Sequence, residues 1–149
     1  LGPGERPAIV HQSGEKLYAG LREAYAKAGV AAEIVPFVTD MAARYAWCDV
    51  LVCRSGAITV AEIAAAGVAA ILFPLPWFVA DEQAANAAYL ADRGAGIAMK
   101  QLETSPETLA GVLRSLTRPK LAASRSIARR SRAPSSARAR PASPRSTTA

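Results

Sequence analysis

Short apolar segments alternate with amphipathic segments along the first 120 residues of the chain. Runs that are apolar almost throughout predict strands at 7–12, 31–35, 49–53, 69–73 and 95–99. Apolar positions spaced three or four residues apart, or Ala-rich segments, predict helices at 15–28, 40–47, 59–66, 81–91 and 106–116. Strands without a polar face are typical of parallel sheets covered on both sides. The pattern therefore predicts an α/β fold, a Rossmann-like doubly wound parallel sheet.

Ligands of such sheets bind at the carboxyl ends of the strands, so the informative loops follow Gln12, Val35, Cys53 and Phe73. The loop Arg54-Ser55-Gly56 leads into a helix that carries Thr59 and Glu62. Small residues there would let backbone N–H groups at the helix start face a diphosphate. A carboxylate one turn further on can accept hydrogen bonds from the two hydroxyls of a ribose. The alternative is that Ser55 caps the helix and Glu62 is a capping-box or surface carboxylate.

Two further loops allow similar pairs of interpretations. The segment Pro36–Met41 follows a strand, and its apolar residues could sandwich a planar base or could form a hydrophobic staple around an Asp40 or Thr39 cap. Asp81, Glu82, Gln83 and Asn86 open a helix, where they suit sugar hydroxyls or serve as ordinary capping residues. The apolar loop Trp77–Val79 either contacts a partner or packs over the sheet edge.

The basic charge of the chain is confined to its end. The sequence has 149 residues with 18 Lys and Arg and 12 Asp and Glu, a formal charge of +6. Residues 122–149 contain seven Arg and no acidic residue, which leaves 11 basic and 12 acidic groups, or −1, for residues 1–121. This Arg/Ser/Ala/Pro-rich segment has no aromatic residue and predicts a disordered tail. It is either a nucleic-acid-binding tail or an out-of-frame translation of a GC-rich gene.

Residue types exclude several classes of site. Two cysteines, Cys48 and Cys53, cannot form a disulfide scaffold or a four-ligand metal site, and both are interpreted as reduced core residues. The single histidine, His11, makes a histidine metal cluster implausible and is interpreted as structural. No apolar run has the roughly 18 residues that a membrane-spanning helix needs.

The segments HQSG, FVTDMAARYAWCDVLVCRSGAITVAEIAAAG and FPLPW…DEQAANA resemble the C-terminal donor-binding domain of the MurG family. These enzymes transfer GlcNAc from UDP-GlcNAc to the muramoyl 4-hydroxyl of lipid I and make lipid II in peptidoglycan synthesis. The resemblance covers residues 7–121 and implies one half of a two-domain GT-B glycosyltransferase. Domain 1–121 would bind UDP-GlcNAc, and 122–149 would be the tail.

The resemblance also implies a role for individual residues. Val38 would hydrogen-bond the uracil through its backbone, with Phe37 and Met41 near the base. Ile58 and Thr59 would lie at the diphosphate, and Glu62 would bind the ribose hydroxyls. The GlcNAc would face Glu82 and Gln83, with Asn86 close by. The remaining members of the donor-binding set, which would shape the turn beneath the ligand, are Arg54, Ser55 and Gly56. Glu82 stands where the family often has His or Gln.

The same resemblance implies what this chain does not itself supply. The acceptor site, a membrane-facing surface and the proposed general base belong to the family's N-terminal domain. We therefore expect no catalytic residue, metal or cofactor in this chain, no activity from it alone, and peripheral attachment of the whole enzyme to the cytoplasmic face of the bacterial plasma membrane. The expected partners are UDP-GlcNAc and, through the other domain, lipid I, with no specific nucleic acid. The alternatives are a GT-B transferase for another UDP-sugar and a non-catalytic nucleotide-binding domain with a nucleic-acid-binding tail.

Overall fold

The computed structural model describes residues 1–77 and 80–131, with only the backbone of Ala80. Its helices are α1 (Tyr18–Lys27), α2 (Met41–Trp47), α3 (Ala57–Ala66), α4 (Ala80–Ala91), α5 (Pro106–Ser115) and α6 (Arg118–Arg130). Its strands are β1 (Val10–Gln12), β2 (Glu33–Val35), β3 (Val50–Cys53), β4 (Ala69–Leu72) and β5 (Gly96–Ala98). Short 3₁₀ turns lie at Pro3–Glu5, Glu15–Leu17 and Gln101–Glu103. Each predicted element therefore has its counterpart, with ends that differ by up to three residues.

All strand pairs in the described residues are parallel, which gives the predicted α/β fold. The strands form two pieces, a two-stranded sheet β1–β2 and a three-stranded sheet β3–β4–β5. In the larger piece Val50 pairs with Ala69, and Ala70 with Gly96. The expectation of one continuous sheet is thus corrected within the described residues, because β1 and β3 are not hydrogen-bonded to each other.

The core surrounds β4, the central strand of the larger sheet. All four residues of β4 are buried, as its apolar sequence predicts. Side chains from three helices pack with it into one cluster; they include Val60, Ile63, Ala87, Leu90 and Ala128. Strand β3 was predicted to be equally buried, but its Val52 side chain is 47% exposed. Strand β3 lies at the edge of its sheet, so it has a hydrogen-bonded neighbour on one side only.

Helix α6 corrects the predicted end of the folded part. The sequence placed disorder from residue 122, whereas residues 118–130 form a helix that packs against α3 and β4. Ala128 is fully buried, Ile127 packs against the core cluster, and the Tyr89 hydroxyl donates to the Ser131 carbonyl oxygen over 2.8 Å. Ile127 and Ala128 thus place one face of this Arg-rich segment against the core. Residues 132–149, and with them most of the predicted tail, lie outside the described residues.

The predicted helix boundaries have identifiable causes. Asp40 caps α2, since its Oδ1 accepts from the Ala43 N–H over 2.9 Å. Ser105 caps α5 in the same way, and Pro106 occupies the first helical position. Helix α3 ends at Gly67, whose φ of 68° is the left-handed conformation that favours glycine.

No helix within the described ranges is long and apolar enough to cross a bilayer.

Candidate functional site

The N-terminus of α3 follows directly on the turn after β3. Gly56 is the N-cap in extended conformation, so no cap side chain accepts from the backbone N–H groups of the first turn. Ile58 in this turn is 78% exposed and Thr59 is half-buried. The ten residues of α3 give the turn a partial positive charge. The arrangement suits an anion, and the diphosphate contact of Ile58 and Thr59 stays a prediction.

A compact hydrogen-bond network connects this turn to α4. The Ser55 side chain is fully buried, and its hydroxyl donates to the Gln83 carbonyl oxygen over 2.8 Å. The Asn86 Nδ2 group donates to the Ser55 carbonyl oxygen over 3.1 Å. Gln83 accepts at Oε1 from the Leu75 N–H over 3.1 Å. Ser55 therefore positions the turn after β3 through buried hydrogen bonds, and its side chain does not reach the surface.

Gln83 and Asn86 each keep part of their amide group outside this network. Among residues 1–77 and 80–131, no hydrogen bond involves Gln83 Nε2 or Asn86 Oδ1. Glu82 lies exposed in the first turn of α4. Contacts of these three residues with a sugar stay predictions, but the network places Gln83 and Asn86 beside Ser55.

Arg54 forms hydrogen bonds with the segment at the end of β4. Its guanidinium donates to the carbonyl oxygens of Phe73 and Pro74 over 3.2 and 3.4 Å and to Gln101 Oε1 over 2.6 Å. These three contacts connect the β3 and β4 ends to the segment after β5. The role of Arg54 beneath a bound donor stays a prediction.

Glu62 lies one turn further along α3 than Thr59, on the exposed surface. Its Oε2 accepts a hydrogen bond of 2.7 Å from the hydroxyl of Tyr45, a buried residue of α2. Burial, and secondly this bond to a carboxylate, raise the pKa of the Tyr45 phenol well above its ordinary value, so the hydroxyl stays a donor. Sequence reasoning did not single out Tyr45. The available signal was its place four residues after Met41, on the same face of a helix that ends near α3.

The loop before α2 carries the predicted base residues. Phe37 is 69% exposed, whereas Val38 is buried and Met41 is half-buried at the start of α2. The Val38 N–H donates to Gln12 Oε1 over 3.0 Å. A base that uses this N–H therefore has to displace the Gln12 amide. The loop after Gln12 was named as informative but the Gln12 side chain was assigned no role, although a polar residue at the carboxyl end of β1 is where such sheets bind ligands.

One cavity of about 380 Å³ opens between the two sheets at the carboxyl ends of β1, β3 and β4. It is lined by His11, Gln12, Val52, Cys53, Arg54, Phe73 and Gln101. Of the predicted donor residues only Arg54 belongs to this lining. The His11 ring meets the Tyr25 ring edge-on, and His11 Nδ1 lies 3.1 Å from the Tyr25 hydroxyl. This contact fits the structural role predicted for His11.

The cysteines and carboxylates offer no other reactive centre in the part of the chain that the structure describes. Cys48 and Cys53 are both free. Burial raises the pKa of both thiols, that of Cys53 to about 12, so both stay protonated at neutral pH. No group of three His, Cys, Asp or Glu residues that could hold a metal ion occurs in residues 1–77 and 80–131. Trp77 is 67% exposed, and the other two residues of its predicted apolar loop lie outside the described residues.

Comparison with known sequences decides the family. The sequence model of the glycosyltransferase family 28 C-terminal domain matches residues 4–140. The chain belongs to this family. Its match to family 28 extends beyond residue 121, where the sequence alone had placed the end of the domain. The described helix α6 lies within the matched range.

Relatives and solved structures agree with the family 28 assignment. UDP-N-acetylglucosamine--N-acetylmuramyl-(pentapeptide) pyrophosphoryl-undecaprenol N-acetylglucosamine transferase from Paraburkholderia xenovorans is 54% identical over 126 residues, which cover 82% of this chain and 34% of that protein. The enzyme of the same name from Burkholderia multivorans is 51% identical over 137 residues, 87% of this chain and 37% of that protein. The crystal structure of Acinetobacter baumannii MurG matches with a TM-score of 0.77 and 39% identity over 83% of this chain and 38% of that one. The spinosyn forosaminyltransferase SpnP, at 17% identity and a TM-score of 0.59, shares the fold alone. The chain spans about a third of the length of the curated relatives it matches.

Proposed function

We propose that this chain is the donor-binding part of a MurG-type transferase, the part that holds UDP-GlcNAc while GlcNAc moves to lipid I and gives lipid II. The observation that carries the proposal is the Glu62 carboxylate, held by Tyr45 beside the open N-terminus of α3 in a family 28 domain. An oriented carboxylate next to a helix start suits a ribose next to a diphosphate. The relatives' printed names give this reaction for proteins that are 50–54% identical to the chain.

In this proposal each loop binds one part of the donor. The N–H groups of the first turn of α3 accept the diphosphate and stabilise the departing UDP, since the helix dipole favours negative charge there. Glu62 accepts from the ribose hydroxyls. Glu82, the Nε2 of Gln83 and the Oδ1 of Asn86 face the GlcNAc hydroxyls. The proposal requires no metal or cofactor, because backbone donors and the helix dipole can stabilise the diphosphate charge.

The base subsite requires one rearrangement. Phe37 and Met41 flank the uracil, and the Val38 backbone reads its edge. The Val38 N–H is occupied by Gln12 Oε1, so a uracil carbonyl replaces the Gln12 carboxamide when it binds. This exchange of one acceptor for another keeps the N–H satisfied in both states.

The remaining functions belong to the other parts of the transferase. The lipid I acceptor, the general base and the membrane-facing surface lie outside this chain, and the whole enzyme is peripheral at the cytoplasmic face of the bacterial plasma membrane. Its product serves cell-wall synthesis, and with it cell shape and division. No specific nucleic acid is proposed as a partner, because residues 1–131 carry 14 basic and 12 acidic groups and so a formal charge of only +2.

The proposal is tested by calorimetric titration of the 149-residue chain with UDP, UDP-GlcNAc and UDP-glucose. We expect UDP and UDP-GlcNAc to bind and UDP-GlcNAc to bind more tightly than UDP-glucose. Replacing Glu62 with Ala removes charge-assisted hydrogen bonds and should weaken UDP binding by about 1–3 kcal/mol. Preference for UDP-glucose would support a transferase for another sugar.

A matched control separates this effect from loss of charge. Glu23→Ala removes the same charge from an exposed position of α1 and should leave UDP affinity unchanged. If the unaltered chain shows no UDP contact, the donor-binding function is wrong. If Glu62→Ala binds UDP as tightly as the unaltered chain does, the ribose role of Glu62 is wrong.

A further inference from the structure

Tyr45 is the one strongly buried polar side chain that reaches the predicted donor residues from α2 in the described part of the chain. Its side chain is 7% exposed, and its hydroxyl donates to Glu62 Oε2 over 2.7 Å. That length is typical of an O–H donor on an ionised carboxylate. The donor direction is fixed, because burial and the neighbouring carboxylate keep the phenol protonated. The bond is therefore directed from Tyr45 to Glu62 and not the reverse.

This bond limits the freedom of an exposed carboxylate. A Glu side chain on a helix surface otherwise samples several rotamers, and ordering it upon ligand binding costs free energy. The donor of this bond to Oε2 is a side chain of the protein itself, so the bound nucleotide does not have to supply the orientation. Oε1 and the second lone pair of Oε2 remain for ligand hydroxyls. Orientation before binding raises affinity by lowering this ordering cost.

The bond also connects two parts of the predicted donor site. Helix α2 begins at Met41, immediately after the loop with Phe37 and Val38, and is held there by the Asp40 cap. Glu62 belongs to α3, whose N-terminus is the predicted diphosphate site. Tyr45 thus fixes the ribose-binding carboxylate relative to the base loop.

We propose that Tyr45 is a positioning residue that orients Glu62 for the two ribose hydroxyls of the donor and so makes binding selective for ribose. The inference rests on the proposed donor-binding function, and Tyr45 itself touches no ligand in it. A residue in this role should affect nucleotides with ribose hydroxyls and leave nucleotides without them unaffected. A residue that only braces α2 against α3 should affect both kinds alike.

The test uses calorimetric titration of the full 149-residue chain with UDP and with 2′,3′-dideoxy-UDP. The unaltered chain should bind UDP about tenfold more tightly, equivalent to about 1.4 kcal/mol. Tyr45→Phe keeps the ring and removes the donor, so it should weaken UDP binding by about five- to tenfold and leave 2′,3′-dideoxy-UDP within about twofold. Tyr89→Phe is the matched control, since it removes a hydroxyl that donates over 2.8 Å to Ser131 between α4 and α6. This control should change neither affinity.

The outcomes separate the inference from the proposed function. If the unaltered chain prefers UDP and Tyr45→Phe keeps the whole preference, the role of Tyr45 is wrong while donor binding stands. Equal weakening of both nucleotides by Tyr45→Phe identifies a brace and also overturns the role. If the unaltered chain binds both nucleotides equally or binds no UDP, the ribose contact of Glu62 fails, and the inference fails with it.

A second measurement covers the case in which Tyr45→Phe does not fold. The unaltered chain is labelled with 3-fluorotyrosine, and its four tyrosines are assigned through the Phe variants of Tyr18, Tyr25 and Tyr89. The Tyr45 fluorine resonance should shift on saturation with UDP and shift less with 2′,3′-dideoxy-UDP, because only UDP contacts the carboxylate that Tyr45 holds. Equal shifts with the two nucleotides, or no shift, would overturn the inference.

Discussion

The sheet β3–β4–β5 and the sheet β1–β2 differ sharply in how much apolar surface they bury. All four residues of β4 are buried, and Ile63, Leu90 and Ala128 from three helices are completely inaccessible. Within residues 1–49, by contrast, Val38 and Tyr45 are the only buried hydrophobic side chains, and α1 has none. Burial of apolar area is the dominant stabilising term in folding. The stability of the described structure therefore resides mainly in residues 50–131.

The predicted donor residues are divided between these two regions. Ser55, Gln83 and Asn86 belong to the well-packed region and are joined by hydrogen bonds. The base loop with Phe37 and Val38 belongs to the sparsely packed region. Its described connections include the hydrogen bond from the Gly14 N–H to the Pro36 carbonyl oxygen and the one from the Val38 N–H to Gln12. Through α2 they also include Arg44 to Glu33 and Tyr45 to Glu62. The residues predicted to bind the diphosphate and the sugar are thus positioned by the well-packed region. The residues predicted to bind the base are positioned by a few polar contacts.

The largest effect is expected from removing α6. A chain that ends at residue 121 loses Ile127 and Ala128 from the core cluster and uncovers the faces of α3 and β4 beneath them. Each Å² of apolar surface uncovered costs roughly 25 cal/mol, which is large against the marginal stability of a small domain. We expect the cooperative urea unfolding transition, followed by circular dichroism at 222 nm, to be lost.

The matched control for this truncation is a chain that ends at residue 131. It keeps α6 and the contact between Tyr89 and Ser131, so its unfolding midpoint should equal that of the full chain. A chain ending at 121 that unfolds as cooperatively as the one ending at 131 would show that the domain stops where the sequence alone suggested. The same result would show that α6 does not belong to the well-packed region.

A smaller effect is expected from one core side chain. Leu72→Ala removes three carbons from a fully buried position of β4 and should lower the free energy of unfolding by about 2–5 kcal/mol. The matched variant Leu17→Ala, at a side chain that is 68% exposed beside α1, should cost less than about 0.5 kcal/mol. Urea titration of both variants measures the contrast directly. Similar losses at the two sites would contradict the assignment of stability to residues 50–131.

Sequence pattern predicted this fold well where a single local signal determines it. The run AAILF of β4 is apolar throughout and is buried throughout, and Gly67, Asp40 and Ser105 end or begin helices by local chemistry. The sequence pattern gave wrong predictions where the structure depends on contacts between residues far apart in the chain. The apolar β3 remains half exposed at Val52 because no strand pairs with its outer edge in the described residues. The Arg-rich segment after residue 121 became a helix because Ile127 and Ala128 meet a surface formed by α3 and β4.

The candidate site shows the same difference between residues that the sequence identified and residues that it did not. Ser55, Gln83 and Asn86 were selected from the turn after β3 and the start of α4, and the structure joins all three. No role was assigned to Tyr45, which lies inside α2 and not in a loop after a strand, or to Gln12 at the end of β1. Hydrogen bonds between positions 17 or more residues apart leave no periodic trace in a single sequence. The spacing of residues in the sequence identifies the type of loop. Tertiary packing determines which atom of each side chain forms a hydrogen bond.

The smallest predicted effect contrasts two glycines. Gly67 has a φ of 68° at the end of α3, and an added Cβ would overlap the Arg129 side chain of α6. Gly67→Ala should therefore lower the free energy of unfolding by about 1–2 kcal/mol, from left-handed strain and displacement of Arg129. Gly111 lies within α5 with open space around it, so Gly111→Ala should raise stability by about 0.5–1 kcal/mol. Thermal unfolding of the two variants should thus shift in opposite directions. A stabilising Gly67→Ala would mean that α3 and α6 do not meet as described, and the well-packed region would then end before α6.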